Sequence, residues 1–190
     1  MMNKKSIVYF SEPGEANTDE TLKLAKERAN ELGIRDIVVA TTRGGVGAKA
    51  VEVFKGYNVV VVTHVTGMKE PGAQELADDH AKKIKAGGGK IVTAAHAFSG
   101  VNRAIQTKFN TMYPLGIVAQ TLRLFGQGMK VVVEIVAMAA DAGVIPVDKD
   151  VVVIAGSGKG ADTAVVVKPA NSHNLFDMVV REIVAKPSSL

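Results

Sequence analysis

Residues Asp36 to Ala50 read DIVVATTRGGVGAKA: an apolar β-branched run stops at two threonines, an arginine and three glycines, then resumes with helical spacing. Glycines at such a junction let successive N–H groups converge, and the following helix adds its unpaired N-terminal donors. Thr41, Thr42 and Arg43 contribute hydroxyl and guanidinium donors, which suit a phosphate or a carboxylate. The segment Thr41, Thr42, Arg43, Gly44, Gly45, Val46 and Gly47 is therefore a candidate anion-binding turn. The plainer reading is a strand-to-helix turn that needs glycine only for its geometry.

A second glycine-rich stretch, AGSGKGADT, holds Gly156, Ser157, Gly158 and Lys159. It is not a Walker A loop, because Val153 stands where that motif needs its first glycine and Gly160 where it needs Ser or Thr. A hairpin whose lysine and amides close over an anion fits better; a plain hairpin turn is the alternative. GGVGA lacks the third glycine of a dinucleotide fingerprint, so NAD is unsupported.

His64, His96 and His173 each follow an expected strand. The first two open toward the site, as phosphate donors or a proton-transfer pair. His80 falls within a charged helix and reads as structural. No ligand spacing points to a metal. Glu12 and Asp162 are the acids placed near strand ends, too far apart in sequence to form an asserted pair. No nucleophile–base arrangement emerges, and the catalytic residues, if any, are unknown.

These groups need a sheet to bring them together. Expected strands run over Ser6–Phe10, Asp36–Thr41, Asn58–Thr63, Lys90–Thr93, Asp150–Ala155 and Thr163–Lys168, and several are apolar at nearly every position, as in a sheet covered on both faces. The first helix is expected to start at an Asn17 cap with Glu20 as capping-box partner, to present Leu22, Ala25, Ala29 and Leu32, and to end at Gly33. Further helices are expected at about Gly47–Lys55, Gly72–Ala86, Phe98–Phe109, Leu115–Phe125 and Met129–Ala142. The last three form a helical excursion at about 98–143. Its final helix is too apolar for one stripe, which favours burial in the core over packing on a second subunit.

Only GSGKGAD separates the fifth and sixth strands, too short for a parallel crossover, so they should pair antiparallel, with the reversed strand at an edge. The tail Phe176–Lys186 reads as a short helix or an edge strand ended by Pro187. In such sheets ligands settle at the carboxyl ends of the parallel strands. There this chain places Ser11 and Glu12, Thr41 to Arg43, Thr63, His64 and Thr66, His96 and Ser99, and Gly156 to Lys159.

At 190 residues, one domain spanning 1–190 is expected. The chain is 47% hydrophobic and 22% charged, ordinary for a globular protein. A formal charge of +4, with lysines scattered and 5% aromatics, argues against nucleic acid. The absence of cysteine removes disulfides, thiolate nucleophiles and cysteine-ligated metals, and fits a cytoplasmic location. The N-terminal apolar run is too short for a signal peptide, and the longest apolar tract, Val131 to Ala140, carries Glu134 and falls short of a membrane span.

Two stretches resemble the C-terminal domain of pyruvate kinase and the archaeal stand-alone proteins related to it: DIVVATTRGG, and AADAGVIPVDKDVVVIAGSGKGADTAVVV. The resemblance implies a three-layer α/β/α fold on a mixed, mostly parallel sheet whose last hairpin strand is antiparallel. It also implies binding rather than catalysis, and without the catalytic barrel pyruvate kinase activity is excluded. Thr41 and Gly44 match phosphate-loop positions of that family, whereas Arg43 stands where the family has Ser or Thr. The resemblance makes flavin mononucleotide (FMN) a plausible ligand.

The expected function is binding of a phosphorylated small molecule, FMN or a sugar phosphate, by a homo-oligomer with no membrane or nucleic-acid partner. Thr41 to Gly47 would take the phosphate and Lys159 would close over it, with Ser11, His64 and His96 facing the remainder. An enzyme using His64 or His96, flavin-dependent or otherwise, is the first alternative. A regulatory or structural subunit with a vestigial pocket is the second.

Overall fold

A computed structural model describes residues 4–189. Seven strands form one sheet in the order β1-β7-β6-β5-β2-β3-β4. They are β1 (Val8–Phe10), β2 (Asp36–Ala40), β3 (Asn58–Val62), β4 (Lys90–Val92), β5 (Val151–Ala155), β6 (Thr163–Lys168) and β7 (Val179–Pro187). The helices are α1 (Thr18–Leu32), α2 (Gly45–Val53), α3 (Asp78–Ala86), α4 (Gly100–Phe109), α5 (Pro114–Arg123) and α6 (Gln127–Asp141).

The strand residues alternate between two apolar layers, because successive side chains leave opposite faces of a strand. Ile37, Val39, Val59, Val61, Val152 and Ile154 pack beneath Leu22, Ala25 and Ala29 of α1, Val51 of α2 and Ile84 of α3. Val38, Val60, Val62, Val151, Val153 and Val165 pack beneath Met129, Val132, Ile135, Val136 and Ala139 of α6. The expected three-layer α/β/α arrangement is the observed one. Right-handed crossovers account for the faces: α1 and α2 carry the chain toward β3 and β4, whereas α6 carries it back to β5 and so lies on the other side. The reversal falls between β2 and β5, where the turn after β2 leaves the sheet.

All strands but β6 are mutually parallel, and β6 pairs antiparallel with β5, as the short hairpin requires. The reversed strand is not at an edge. The tail forms β7, which lies against β6 on one side and β1 on the other, so neither the helix nor the edge strand expected of it is seen. Three-residue β1 takes the edge instead, aligning Val8 with Ala185 and Phe10 with Pro187. An exposed burial pattern along Val179–Arg181 had concealed an interior strand.

Two helix starts also differ from expectation. Before α1 the chain makes a 3-10 turn at Glu15–Asn17, so the Asn17 side chain forms no cap and its Nδ2 donates to the Glu12 carbonyl. Gly33 does close α1 in the left-handed conformation. The third helix begins at Asp78 rather than Gly72, because Gly67 and Gly72 take positive φ and the Gly67 N–H donates to the Ala73 carbonyl, closing residues 67–73 into a loop. The three excursion helices form as expected, and α6 is buried along most of its length.

Candidate functional site

The turn after β2 is shaped from within. The Gly44 N–H donates to Thr41 Oγ1 at 3.1 Å, and the Ala48 N–H to the Gly44 carbonyl at 2.8 Å, which starts α2. Gly44 has φ 99°, and a Cβ there would fall 2.4 Å from the His80 Cβ. His80 in turn sets its Nδ1 2.8 Å from the Arg43 carbonyl. Thr41, Gly44 and His80 therefore build the turn and leave little to offer a ligand. What remains open is on its outer side: among the described residues the N–H groups of Gly45, Val46 and Gly47 donate to no protein acceptor, and the Arg43 side chain makes no ion pair. Gly47 itself is buried, since a Cβ there would meet Val61.

Thr42 links this turn to the loops after β3 and β4. Its Oγ1 lies 3.3 Å from His64 Nε2, and His64 Nδ1 lies 2.8 Å from Glu75 Oε2. Lys69 Nζ stands 3.1 Å from the other Glu75 oxygen. The hydrogen bond from His64 and the charges of His64 and Lys69 outweigh burial and hold the Glu75 carboxyl below its ordinary range. The His96 ring lies edge-on to His64 with centroids 5.5 Å apart. Its Nε2 accepts the Val65 N–H at 3.2 Å, and its Nδ1 is 3.6 Å from Glu134 Oε2.

Glu134, on α6, is buried and also takes the Phe98 N–H and the Lys130 ammonium. Burial alone would raise its pKa. The nearby His96 ring, the Lys130 charge and the Phe98 N–H overcome that and bring it down to about 2.

Of the other expected site residues, Thr63 is buried and bonds the Thr93 hydroxyl at 2.7 Å, and exposed Thr66 accepts from Gln74 Nε2 at 3.3 Å. Ser11 is exposed, and its carbonyl accepts from the Ser189 hydroxyl. The hairpin Gly156–Lys159 is docked on the loop after β1 rather than bonded to the Thr41–Gly47 turn. Asp162, fully buried, accepts the Gly14 and Ser157 N–H groups at 2.9 and 3.0 Å and the Thr163 hydroxyl at 2.8 Å. Gly160 is needed because a Cβ would meet the Glu15 Cα at 2.4 Å. Exposed Lys159 makes no side-chain bond among the described residues. His173 lies in the segment Ser172–Asp177 that follows β6.

Residues 19–167 match the family model described as pyruvate kinase, alpha/beta domain. The chain belongs to that family. The match runs from the first turn of α1 to the end of β6, so β1 and β7 lie outside the matched span. The Thr41–Gly47 turn and the glycine hairpin both fall inside the matched span.

Sequence reasoning missed Glu75, Lys130 and Glu134. Glu134 carried a signal: a lone carboxylate in an apolar tract with a lysine four residues earlier. Glu75 carried none, because its contact with His64 depends on how the loop before α3 folds. Among the described residues no group of three His, Asp or Glu side chains is placed to hold a metal, and no helix is long and apolar enough to cross a membrane.

Proposed function

We propose that this member of the family binds a phosphorylated small molecule at the carboxyl edge of its sheet, with the phosphate on the outer side of the β2–α2 turn. One observation carries the reading: among the described residues, three consecutive N–H groups, Gly45 to Gly47, meet no acceptor at the start of a nine-residue helix, beside the Thr42 hydroxyl and an Arg43 side chain that makes no ion pair. A helix N-terminus favours an anion through both its donors and its dipole. Arg43 can add a two-pronged contact that a hydroxyl at that position would not. Lys159, whose hairpin is docked on the loop after β1, is left out of this reading.

FMN is the first candidate and a sugar phosphate the second. The phosphate half of FMN fits the free donors, and when bound the flavin would supply redox chemistry; the residues above would hold its phosphate. The test is a thermal-shift and absorbance titration with FMN, riboflavin and a set of sugar phosphates. Stabilisation by FMN with none by riboflavin, weakened in Arg43→Ala, is the expected result. Equal response to riboflavin, or no response to any phosphorylated compound, overturns the reading.

The Thr42–His64–Glu75 chain favours a second reading, an enzyme that uses His64 for proton transfer on the same ligand. Reduced-nicotinamide oxidation by FMN-loaded protein, abolished in His64→Gln, would support it.

A further inference from the structure

Eight of the fifteen large apolar side chains that the described residues expose fall between Val101 and Phe125, on α4, α5 and their flanking turns. The two helices double back at Asn110–Tyr113 and touch at Gly116, where a Cβ would fall 2.4 Å from Gln106 Nε2. Packing runs inside out along this hairpin. The buried positions of α4 and α5 are Asn102, Gly116 and Ala119, which are polar or small. The outward ones are large: Phe109, Met112 and Tyr113 lie at the tip, and Ile117 along α5. Val101 starts α4 and Leu124 and Phe125 follow α5, so they share the other end of the hairpin. Val101, Phe109 and Leu124 are 76, 67 and 78% exposed. A helix that packs only on its own domain turns its polar face to water, whereas this hairpin turns out the face that a partner covers.

The area is that of a stable contact. Side chains of this size carry on the order of 150 to 200 Å² each, so at their exposures the eight present roughly 700 Å² of apolar surface. The largest apolar patch of an ordinary monomer is about 300 to 600 Å². A stable interface hides about 800 Å² on each partner, and the hairpin by itself supplies most of one side. Its composition favours a second copy of the chain. Faces between identical subunits are more apolar than transient sites, and interface cores gather aromatic side chains, Met and Arg. Phe109, Tyr113, Phe125, Met112 and Arg103 are of those types. Two hairpins laid face to face across a two-fold axis make a four-helix layer in which each copy covers the other.

We propose that the α4–α5 hairpin is the contact face of a symmetric homodimer, with Phe109, Met112, Leu124 and Phe125 of one copy packed on the same hairpin of the other. This face is separate from the proposed phosphate site, and either can fail without the other. Charge sets the sign of its salt dependence. No Asp or Glu lies between Asp79 and Glu134, so the hairpin carries only the cations Arg103, Lys108 and Arg123. Across a two-fold axis these meet their own kind at the rim, and screening that repulsion tightens the dimer. An anionic lipid surface or an acidic protein would instead be released by salt.

Sedimentation equilibrium of the full chain is the test, at about 1 to 100 μM protein and about 0.05 to 0.5 M sodium chloride. A reversible dimer whose Kd falls as salt rises is expected, with amide exchange across residues 100–125 slowed on concentration. Phe109→Lys and Leu124→Lys each put an unpaired like charge into the face and should weaken association by about 100-fold or more, with far-UV circular dichroism unchanged. Tyr9→Lys, on the exposed edge strand β1, should leave the dimer intact. Because the chain has no cysteine, a nitroxide on Met112→Cys gives a second measurement that does not need the lysine variants to fold. Its motion should slow on dimerisation, while a label on Tyr9→Cys stays mobile. A chain that is monomeric at about 100 μM, a dimer unmoved by both lysine variants, or a Met112→Cys label that stays mobile in the dimer overturns the proposal. Capture of the monomer by phosphatidylglycerol vesicles through the same side chains, reversed by salt, overturns it in favour of a lipid surface.

Discussion

Two glycine-rich loops leave the same edge of the sheet, TTRGGVG after β2 and GSGKG after β5, and look alike in the sequence. In the first, glycine at position 44 lets the backbone turn beneath His80 and one donor is absorbed by Thr41, which leaves the next three N–H groups open. In the second, Gly156 and Gly160 let backbone meet backbone, and Asp162 consumes the Ser157 and Gly14 N–H groups. A glycine-rich loop is a site only where its donors are left over. Close packing uses the same residue type to the opposite end.

The severest way to break the open loop's surroundings is through Glu134. Glu134→Ala strands a buried Lys130 cation and frees the Phe98 N–H, and should cost about 3 to 5 kcal/mol by urea denaturation. The same carboxylate predicts an acid limit. Its folded pKa lies below the ordinary value of 4.5, at about 2, so its contribution is full above the unfolded value and is lost as pH falls from there through about 2. The urea midpoint should fall across that window in wild type and fall less in Glu134→Gln.

In the closed loop, Asp162→Ala orphans two backbone donors and should cost roughly 2 to 4 kcal/mol in the same assay. FMN affinity of the folded fraction should be unchanged. A matched loss of affinity would mean that the two loops act as one site.

Arg43→Ala should sharpen the contrast from the other side, weakening FMN by about tenfold, the order expected for a charged hydrogen bond, with stability within about 0.5 kcal/mol of wild type. Smallest of all, Lys159→Ala should change affinity by less than about twofold and stability by less than about 0.5 kcal/mol. A larger effect on binding would place the hairpin lysine over the ligand after all.

Much of this was legible along the chain. The apolar runs from Ile37 to Val167 marked five of the strands, and GSGKGAD marked the hairpin, because strand burial and loop length are local constraints. Strand β7 was not, since Val179, Val180 and Arg181 are exposed and its partners, β1 and β6, are distant in sequence. Thr42, Arg43 and His64 were nominated by type and place, but nothing local joined Glu75 to His64 or Glu134 to His96.

Sequence alone determined which residues could donate to an anion, the alternation that builds the two-faced sheet, and the reversal of β6, because each depends on residue type, period or loop length. Tertiary structure decided which donors are spent. Whether an N–H is free depends on what other segments bring to it: Asp162 closes one loop, His80 and Thr41 shape the other, and an adaptable hydroxyl opposite His64 against a fixed N–H opposite His96 separates two histidines that the sequence could not rank.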